Sequence, residues 1–512
     1  MSSAGPAPLK GAALAITAVA LALGTFMQVL DTTIANVSLP TIAGNLGVSS
    51  DSGTWIITSF AVANGVAVPL TGWLMGRFGV VRTFVASVAL FTLASFLCGI
   101  AWSLGSLVAF RVLQGAVSGP MIPGSQALLI SVFPENKRST ALGVWSMTTL
   151  VAPIAGPILG GYISDNYHWS WIFLINVPVG LLCALICWRM LRIRETPTRK
   201  LPIDKVGVAM LFVWVGALQV MLDLGKNADW FNSPTIVVAA LIAGIGFLAW
   251  LIWELTDGHP AVDLRLFRNR NFMLGTIAFC LGYAVFFANV LILPLWLQTQ
   301  MGYTATWAGL VAAPSGVVAV ILTPIMARLS GRIDARLLAT FSFAAFILSY
   351  FMRANYTPDV SFWALTVPML VNGVAMSCFF LSMLTIQLDG IPPQQVPSAT
   401  GISNFARITC GSFAASIITT AWDRREALHQ SRMVDHLTIF SPAYNGAVDT
   451  LRRLGVNELQ AAGAITRQIV QQAYLLASTD LFWISAWISI AMVPLIWFAR
   501  RPRGGTGPVA AD

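Results

Sequence analysis

The stretch 11-GAALAITAVALALGTFMQVLDTTIANVSLP-40 begins with an apolar run, residues 12–35, that is long enough to cross a bilayer. A helix needs about 20 apolar residues to span the hydrocarbon core. Similar runs recur to the end of the chain and predict fourteen transmembrane helices. Their approximate bounds are 12–35, 54–74, 83–103, 106–132, 140–162, 171–191, 204–224, 234–254, 271–293, 306–328, 337–353, 360–382, 397–421 and 479–500.

The composition supports this fold class. Of the 512 residues, 56% are hydrophobic and only 10% are charged, whereas a soluble domain carries roughly a quarter charged residues. Fourteen spans would use roughly 280 residues, which leaves no room for a sizeable soluble domain. The net charge of +9 does not indicate nucleic-acid binding, because the basic residues lie between apolar runs and not on a soluble face. We expect an all-α, polytopic membrane protein.

The spans divide into groups of six, two and six. We expect an N-terminal bundle in 1–191, a charged linker in 192–203, two inserted helices in 204–254, a C-terminal bundle in 271–500 and a tail in 501–512. The C-terminal bundle contains a long polar loop, 422–478. Within it, Asn457 and Gln460 predict a helix cap, and Ile465, Ile469 and Leu476 share a helical stripe. This stripe would either pack on the protein itself or dock a partner.

The basic residues predict the orientation. Cytoplasmic loops are enriched in Lys and Arg, and most of the 30 such residues lie on one side if the N-terminus is inside. Short loops on the other side hold only Lys226 and Arg353. Both termini are therefore predicted to be cytoplasmic, and the first span is read as a retained signal anchor.

A few charges lie inside the spans, where each costs about 2.5 to 3.5 kcal/mol and is a functional hypothesis by default. Asp31 and Arg111 are the deepest pair. They would either carry a proton and reset its affinity, or form a static ion pair. Asp223 and Glu254 lie nearer helix ends and are secondary candidates. Arg407 would offset an acid, bind an anionic substrate or donate to backbone carbonyls.

Small residues and prolines concentrate in the fifth span, at 152-APIAGPILGG-161. Gly156 and Gly160 repeat at four residues and allow close helix approach, while Pro153 and Pro157 remove backbone donors and favour a kink. Together with Gly115 of the fourth span, these residues predict a hinge. The alternative is ordinary helix packing.

The sequence contains no motif that indicates a metal site, a disulfide framework or ATP hydrolysis. The six cysteines lie in apolar segments without metal or disulfide spacing, so they are assigned to packing and no metal or cofactor is expected. The four histidines lie outside the spans, and the sequence contains no phosphate-binding loop that would indicate an ATPase. An enzyme or a receptor without transport is therefore a weak alternative.

Four motifs resemble the major facilitator superfamily, and in particular its fourteen-helix drug:proton antiporter branch of the EmrB type. The string 30-LDTTIANVSLP-40 resembles the signature of that branch, and 111-RVLQGAVSGP-120 is similar to the fourth-helix motif. The string 152-APIAGPILGG-161 resembles the antiporter motif, and 169-WSWIFLINVP-178 is similar to the start of the sixth helix.

One motif departs from the pattern. The loop 72-GWLMGRFGVVR-82 resembles the superfamily's loop between helices two and three, where Gly72, Arg77, Gly79 and Arg82 match. However, Gly76 stands where an acidic residue is usual. This departure puts in doubt whether the loop closes a charged gate as it does in the family.

The resemblance implies two six-helix bundles around a midplane cavity and a proton-driven exporter of hydrophobic or amphipathic drugs in a bacterial inner membrane. It also implies a tripartite pump with a periplasmic membrane-fusion adaptor and a TolC-type outer-membrane channel. An alternative is a dedicated exporter of a lipid-like compound such as a fatty acid. Since apolar and sulfur side chains suit varied ligands, the candidates for the cavity are Met27, Gln28, Trp145, Phe286 and Gln387.

Overall fold

The computed structural model describes residues 9–501 except 135–136, 199–201, 203, 259, 331, 436 and 438–440. Nearly all of the predicted tail 501–512 and part of the linker 192–203 therefore lie outside the described residues. The first bundle contains α1 (Gly11–Asn45), α2 (Ser50–Gly53), α3 (Trp55–Ala67), α4 (Thr71–Phe78), α5 (Val80–Gly99), α6 (Leu104–Ser118), α7 (Met121–Val132), α8 (Arg138–Asn166), α9 (Trp171–Leu174) and α10 (Asn176–Leu191).

The inserted helices are α11 (Lys205–Leu224) and α12 (Pro234–Thr256). The second bundle contains α13 (Arg270–Thr299), α14 (Ala305–Ser330), α15 (Ala335–Arg353), α16 (Phe362–Gln387), α17 (Val396–Asp435), α18 (Pro442–Arg453) and α19 (Glu458–Trp497).

The helices agree with a polytopic membrane protein. Eleven of them are long and apolar enough to span a bilayer, and α3 with α4 forms one further span bent by 57°. Two more predicted spans correspond to α6 with α7, which meet around Gly119 and Pro120, and to α17, which is rich in Ser and Thr. The arrangement is consistent with the fourteen predicted spans in their order of six, two and six.

The inserted helices join the first bundle at close range. Helix α11 packs along both α12 and α3. A Cβ atom on Gly65 would lie 3.0 Å from Val215 Cγ1, and one on Gly216 would lie 3.7 Å from Val62 Cγ1. Glycine on both helices therefore brings the two backbones together, as small residues do in membranes.

The segment 422–478, predicted as a long loop, is largely helical. Helix α17 continues to Asp435 because 422-WDRREALHQSRMVD-435 contains no Gly or Pro, and α19 begins at Glu458. The predicted cap is confirmed, since Asn457 and Gln460 form a reciprocal capping box. The two helices contact each other through Trp422 Nε1–H, which donates to Ser478 Oγ at 2.9 Å. At Ser478, α19 therefore packs on α17, while Leu476 of the predicted stripe is 40% exposed.

The two bundles touch along several helices. A Cβ atom on Gly72 of α4 would collide with Ser398 of α17. Thr400 Oγ1 donates to the Pro123 carbonyl of α7 at 3.4 Å. Helices α8 and α14 meet at Gly143, where an added Cβ would lie 3.0 Å from Ala327.

Candidate functional site

Asp31 and Arg111 form an ion pair inside the first bundle. Arg111 Nη1–H donates to Asp31 Oδ2 at 2.6 Å, and the two residues are 1% and 2% exposed. Helix α1 supplies the acid and α6 supplies the base. Asp31 and Arg111 were predicted to be functional because a charge inside the membrane is costly. The structure places them in direct contact.

Neutral polar groups complete the surroundings of the carboxylate. Gln114 Nε2–H and Asn176 Nδ2–H each donate to Asp31 Oδ1 at 3.0 Å. The same two amides also donate to Ser95 Oγ, at 2.8 and 3.4 Å. Hydrogen bonds therefore link four helices, α1, α5, α6 and α10, around Asp31. A change in the charge of Asp31 would alter this network on all four.

Arg111 is held on every side. Its Nε–H donates to the Ile56 carbonyl of α3 at 3.1 Å, and its Nη1–H also donates to Gln114 Oε1 at 2.6 Å. The guanidinium lies 4.2 Å from the centre of the Phe60 ring. These contacts fix the cation independently of Asp31, so the carboxylate is free to be neutralised without releasing Arg111 from the bundle.

The helix carrying Asp31 lies directly against the predicted hinge. A Cβ atom on Gly156 would lie 2.0 Å from Thr33 Oγ1, and one on Gly160 would lie 3.3 Å from the Ile34 carbonyl oxygen. Helix α8 runs without interruption past Pro153 and Pro157, although the side chain of Pro157 lies outside the described part. The close packing agrees with the glycine spacing, while the hinge stays a prediction.

Gly115 performs a similar packing role on α6. A Cβ atom there would lie 2.4 Å from the Phe60 carbonyl oxygen and 2.9 Å from Ala63 Cβ. Helices α3 and α6 therefore approach each other directly beside Arg111.

A second basic residue, Arg407, lies near the contact between the bundles. Its Nη2–H donates to Asn404 Oδ1 at 3.1 Å, and Asn404 Nδ2–H donates across the bundles to Gln126 Oε1 at 3.3 Å. The guanidinium lies 4.6 Å from the Tyr283 ring centre. Arg407 is 3% exposed, its Nε–H has no acceptor, and among the described residues it pairs with no carboxylate. The first of its three predicted roles, offsetting an acid, is therefore not seen.

The candidate cavity residues are all buried. Met27, Trp145 and Phe286 belong to one apolar cluster that draws on both bundles. Gln387 Oε1 accepts from Ser403 Oγ–H at 3.0 Å. Each polar member has a buried atom without a hydrogen-bond partner: Gln28 Oε1, Trp145 Nε1 and Gln387 Nε2. Such unpaired groups fit polar anchors for a ligand.

The two secondary carboxylates lie near the ends of the inserted helices α11 and α12. Asp223 of α11 accepts from Gln219 Nε2–H at 3.0 Å, and Thr58 of α3 is its other hydrogen-bonding neighbour. Glu254 of α12 accepts from the Val262 N–H at 3.2 Å through Oε2, while its Oε1 is buried without a partner.

The loop motif is completed by a residue outside it. Gly79 joins α4 to α5 with φ +94, and Glu195 Oε1 accepts from the Val81 N–H at 3.0 Å. Glu195 also lies 3.9 Å from the Arg82 guanidinium. The linker therefore brings a carboxylate to the loop whose usual acid is replaced by Gly76. Arg77 stacks on Trp73 at 5.7 Å.

Three contributors were missed in the sequence. Ser95 and Asn176 are neutral and carry no signal against an apolar background, although Asn176 lies within the quoted string 169–178. Glu195 belongs to the predicted charged linker, and its role depends on how that linker packs against the start of α5. The roles of Ser95 and Asn176 are visible only where α5 and α10 pack against α1 and α6.

Comparison with known proteins supports the motif resemblance. Residues 21–415 match the family model of the Major Facilitator Superfamily. The chain is 48% identical to the multidrug export protein EmrB of Escherichia coli K12, covering 98% of both chains. It is 46% identical to the fatty acid resistance protein FarB of Neisseria gonorrhoeae, covering 98% of this chain and 99% of that one.

Solved structures agree on the fold. The human organic anion transporter MFSD10 matches with a TM-score of 0.58 at 13% identity, covering 94% of this chain and 99% of that one. The proton:xylose symporter XylE matches with a TM-score of 0.58 at 14% identity, covering 96% and 97%. With the family model spanning most of both bundles and full-length relatives near half identity, the chain belongs to the major facilitator superfamily and, within it, to the EmrB group.

Proposed function

We propose that this multi-pass membrane protein exports hydrophobic and amphipathic drugs in exchange for protons, with Asp31 as the proton carrier. The observation that supports this most strongly is the buried Asp31–Arg111 pair, joined at 2.6 Å, whose carboxylate also accepts from two neutral amides, Gln114 and Asn176. Membership of a transporter family, and not of an enzyme family, supports transport as the activity. The names of EmrB and EmrY relatives support drugs as the cargo.

The coupling follows from the charge of Asp31. Deprotonated Asp31 attracts Arg111 and accepts from Gln114 and Asn176, which draws α1 towards α6 and α10. A proton on Asp31 removes the ionic attraction, while Arg111 keeps its bonds to Ile56 and Gln114. Helix α1 is then held less firmly against α6.

A change in α1 reaches the second bundle through α8. Thr33, two residues after Asp31, packs against Gly156 of α8, and Gly143 of the same helix packs against Ala327 of α14. We infer that the protonation state of Asp31 biases the contact between bundles. Entry of a proton from outside would favour drug release there, and its loss to the cytoplasm would restore drug binding, as in alternating access.

The test is proton release from the purified protein when drug is added. The wild type should release protons, whereas Asp31→Asn should release none and should not couple export to a proton gradient. The matched control is Asp359→Asn, which changes an exposed loop acid and should behave as wild type. Coupled export by Asp31→Asn at the wild-type rate would overturn the assignment.

A second candidate function is export of a fatty acid or a similar amphipathic acid. The FarB relative supports it, and so does Arg407, a buried cation near the bundle contact that pairs with no carboxylate among the described residues. Growth of cells that express the protein, in the presence of drugs or of long-chain fatty acids, separates the two candidates. Protection against fatty acids alone would replace the drug assignment.

We also propose a bacterial inner-membrane location with both termini in the cytoplasm, supported by the distribution of Lys and Arg. A periplasmic membrane-fusion adaptor and a TolC-type channel are proposed as partners. The helical extensions of α17 and α19 beyond the predicted spans supply a surface for the adaptor. Cross-linking from positions in 436–457 to the co-expressed adaptor, with positions in the short loop 225–233 as controls, tests this assembly.

A further inference from the structure

A small cavity lies at the end of α12, on the side of the membrane where the linker 192–203 enters α11. This side is predicted to be cytoplasmic. The volume of the cavity is about 270 Å³, and it is lined by Glu254, Leu255, Leu264, Arg265, Phe267 and Arg268. Pockets for drug-sized ligands measure roughly 300–1,000 Å³. The cavity lies at the lower end of this range, which suits a small polar group.

The cavity is lined by one acidic residue, Glu254, and two basic residues, Arg265 and Arg268, which form no ion pair with one another in the described residues. Glu254 is 3% exposed, and its Oε1 has no hydrogen-bond partner. The Trp250 indole lies close to it, but its Nε1 also lacks a partner within hydrogen-bond distance. In the described residues, no ion pair joins Glu254 to Arg265 or Arg268, although all three side chains line the cavity.

The surroundings of Glu254 favour a cation beside it. Asp204 and Asp257 are its charged neighbours, and a Cβ atom on Gly207 would lie 2.1 Å from Asp204 Oδ2 and 2.9 Å from Glu254 Oε1. Within the described part of the chain, no group of three His, Cys, Asp or Glu side chains could hold a metal ion. An ammonium group, which needs only acceptors, suits the site better than a metal.

An apolar stripe leads to this cavity. Leu241, Ile245, Leu248, Ile252 and Leu255 of α12 recur at helical spacing, and each is more than half exposed. Side chains at such intervals lie on one face of a helix, and the last of them, Leu255, lines the cavity. Acyl chains could follow the stripe while their headgroup enters the cavity.

We propose that the cavity binds the headgroup of phosphatidylethanolamine. Its primary ammonium donates to Glu254 Oε1, its phosphate accepts from Arg265 and Arg268, and its acyl chains lie along the exposed stripe of α12. Arginine pairs well with phosphate oxygens, and basic sites beside transmembrane helices are typical headgroup sites. Phosphatidylcholine, whose nitrogen has no N–H, and phosphatidylglycerol, which has no cation, each satisfy only part of the site.

Native mass spectrometry of the full-length protein tests the proposal, with the three lipids added separately in detergent. The wild type should retain phosphatidylethanolamine roughly tenfold better than the other two, as expected for one additional charge-assisted hydrogen bond. Glu254→Gln should remove this preference. Arg265→Gln with Arg268→Gln should weaken all three lipids.

The matched control is Arg328→Gln with Arg332→Gln, which removes two exposed charges from the end of α14 and the adjoining loop and should change nothing. Leu255→Trp fills the cavity without changing its charge and should also reduce binding, so the proposal does not depend on Glu254→Gln folding. Equal retention of the three lipids by the wild type, or a preserved preference in Glu254→Gln, would refute it. If the mass of a dimer were observed whether or not lipid is added, a second copy of the chain would cover α12 instead of a lipid.

Discussion

Thr33 and Gly156 are in contact so close that a Cβ atom on Gly156 would lie 2.0 Å from Thr33 Oγ1 and 2.6 Å from its Cβ. Thr33 Oγ1–H is committed locally, since it donates to the Leu30 carbonyl at 3.0 Å. The hydroxyl therefore cannot turn away without losing a hydrogen bond. This contact joins the helix of Asp31 to the helix that touches the second bundle.

Gly156→Ala should overpack the contact, destabilise the protein by about 1–3 kcal/mol and lower export. Thr33→Gly in the same chain removes the clashing atoms and should restore part of the loss. Gly161→Ala is the control on the same helix, because its added Cβ meets nothing within 4 Å. Thermal unfolding and drug efflux from vesicles measure both effects, and equal results for the two alanine variants would contradict the packing argument.

Arg111→Ala should be strongly destabilising, by about 3–5 kcal/mol, because it leaves Asp31 buried without its cation. Asp31→Asn combined with Arg111→Ala removes both charges and should cost less than the sum of the two single changes. A double-mutant cycle on the free energy of unfolding in mixed micelles measures this coupling. Additive losses would show that the pair contributes no mutual stabilisation.

Glu195→Ala should loosen the start of α5, because the Glu195 carboxylate accepts from the N–H groups of Val81 and Arg82 at 3.0 and 2.8 Å. Hydrogen bonds to a charged group contribute about 1.5–3 kcal/mol, so amide exchange there should accelerate at least roughly tenfold. Hydrogen exchange with mass spectrometry measures it. Glu458→Ala, an acid at the start of α19, is the control, and unchanged exchange in Glu195→Ala would dismiss the linker's role.

Asp334 should give the protein a pH-dependent stability on the predicted cytoplasmic side. Its partial burial opposes ionisation, but hydrogen bonds from Arg336 and the charges of Arg336 and Arg501 lower the pKa of Asp334 below its ordinary value. A lowered folded-state pKa means that the stabilisation is complete above the unfolded-state value and is lost as pH falls through the folded one.

Melting temperatures measured from pH 7 down to pH 3 test this expectation. The wild type should lose stability below about pH 4, near the unfolded value for Asp, and Asp334→Asn should lose less over the same interval. Asp359→Asn should follow the wild type. A wild-type slope that persists unchanged in Asp334→Asn would assign the pH dependence to other groups.

The sequence predicted the features that depend on strong local signals. Apolar runs gave the helices, and the cost of a buried charge identified Asp31 and Arg111, which the structure joins. The asparagine and glutamine pattern at 457–460 gave the start of α19. In each case, a short stretch of sequence contains the physical reason.

Features that depend on tertiary packing could not be predicted in this way. Arg353 was placed in a short outer loop, but it ends α15 and is 1% exposed, because Tyr350 and Phe482 cover its guanidinium at 5.5 and 5.7 Å. Asn176 reaches Asp31, and Ser95 reaches the two amides beside it, only because four helices converge. The continuation of α17 to Asp435 was not predicted, because polar residues suit an exposed helix as well as a loop.

The length of those extensions has a mechanical consequence. Helices α17 and α19 have 40 residues each, which at 1.5 Å per residue makes each about 60 Å long. Roughly half of that length exceeds the hydrocarbon core. Each helix therefore acts as a lever whose pivot lies in the bilayer, so a tilt of about 5° between the bundles becomes a displacement of roughly 3 Å at a tip about 30 Å from the pivot.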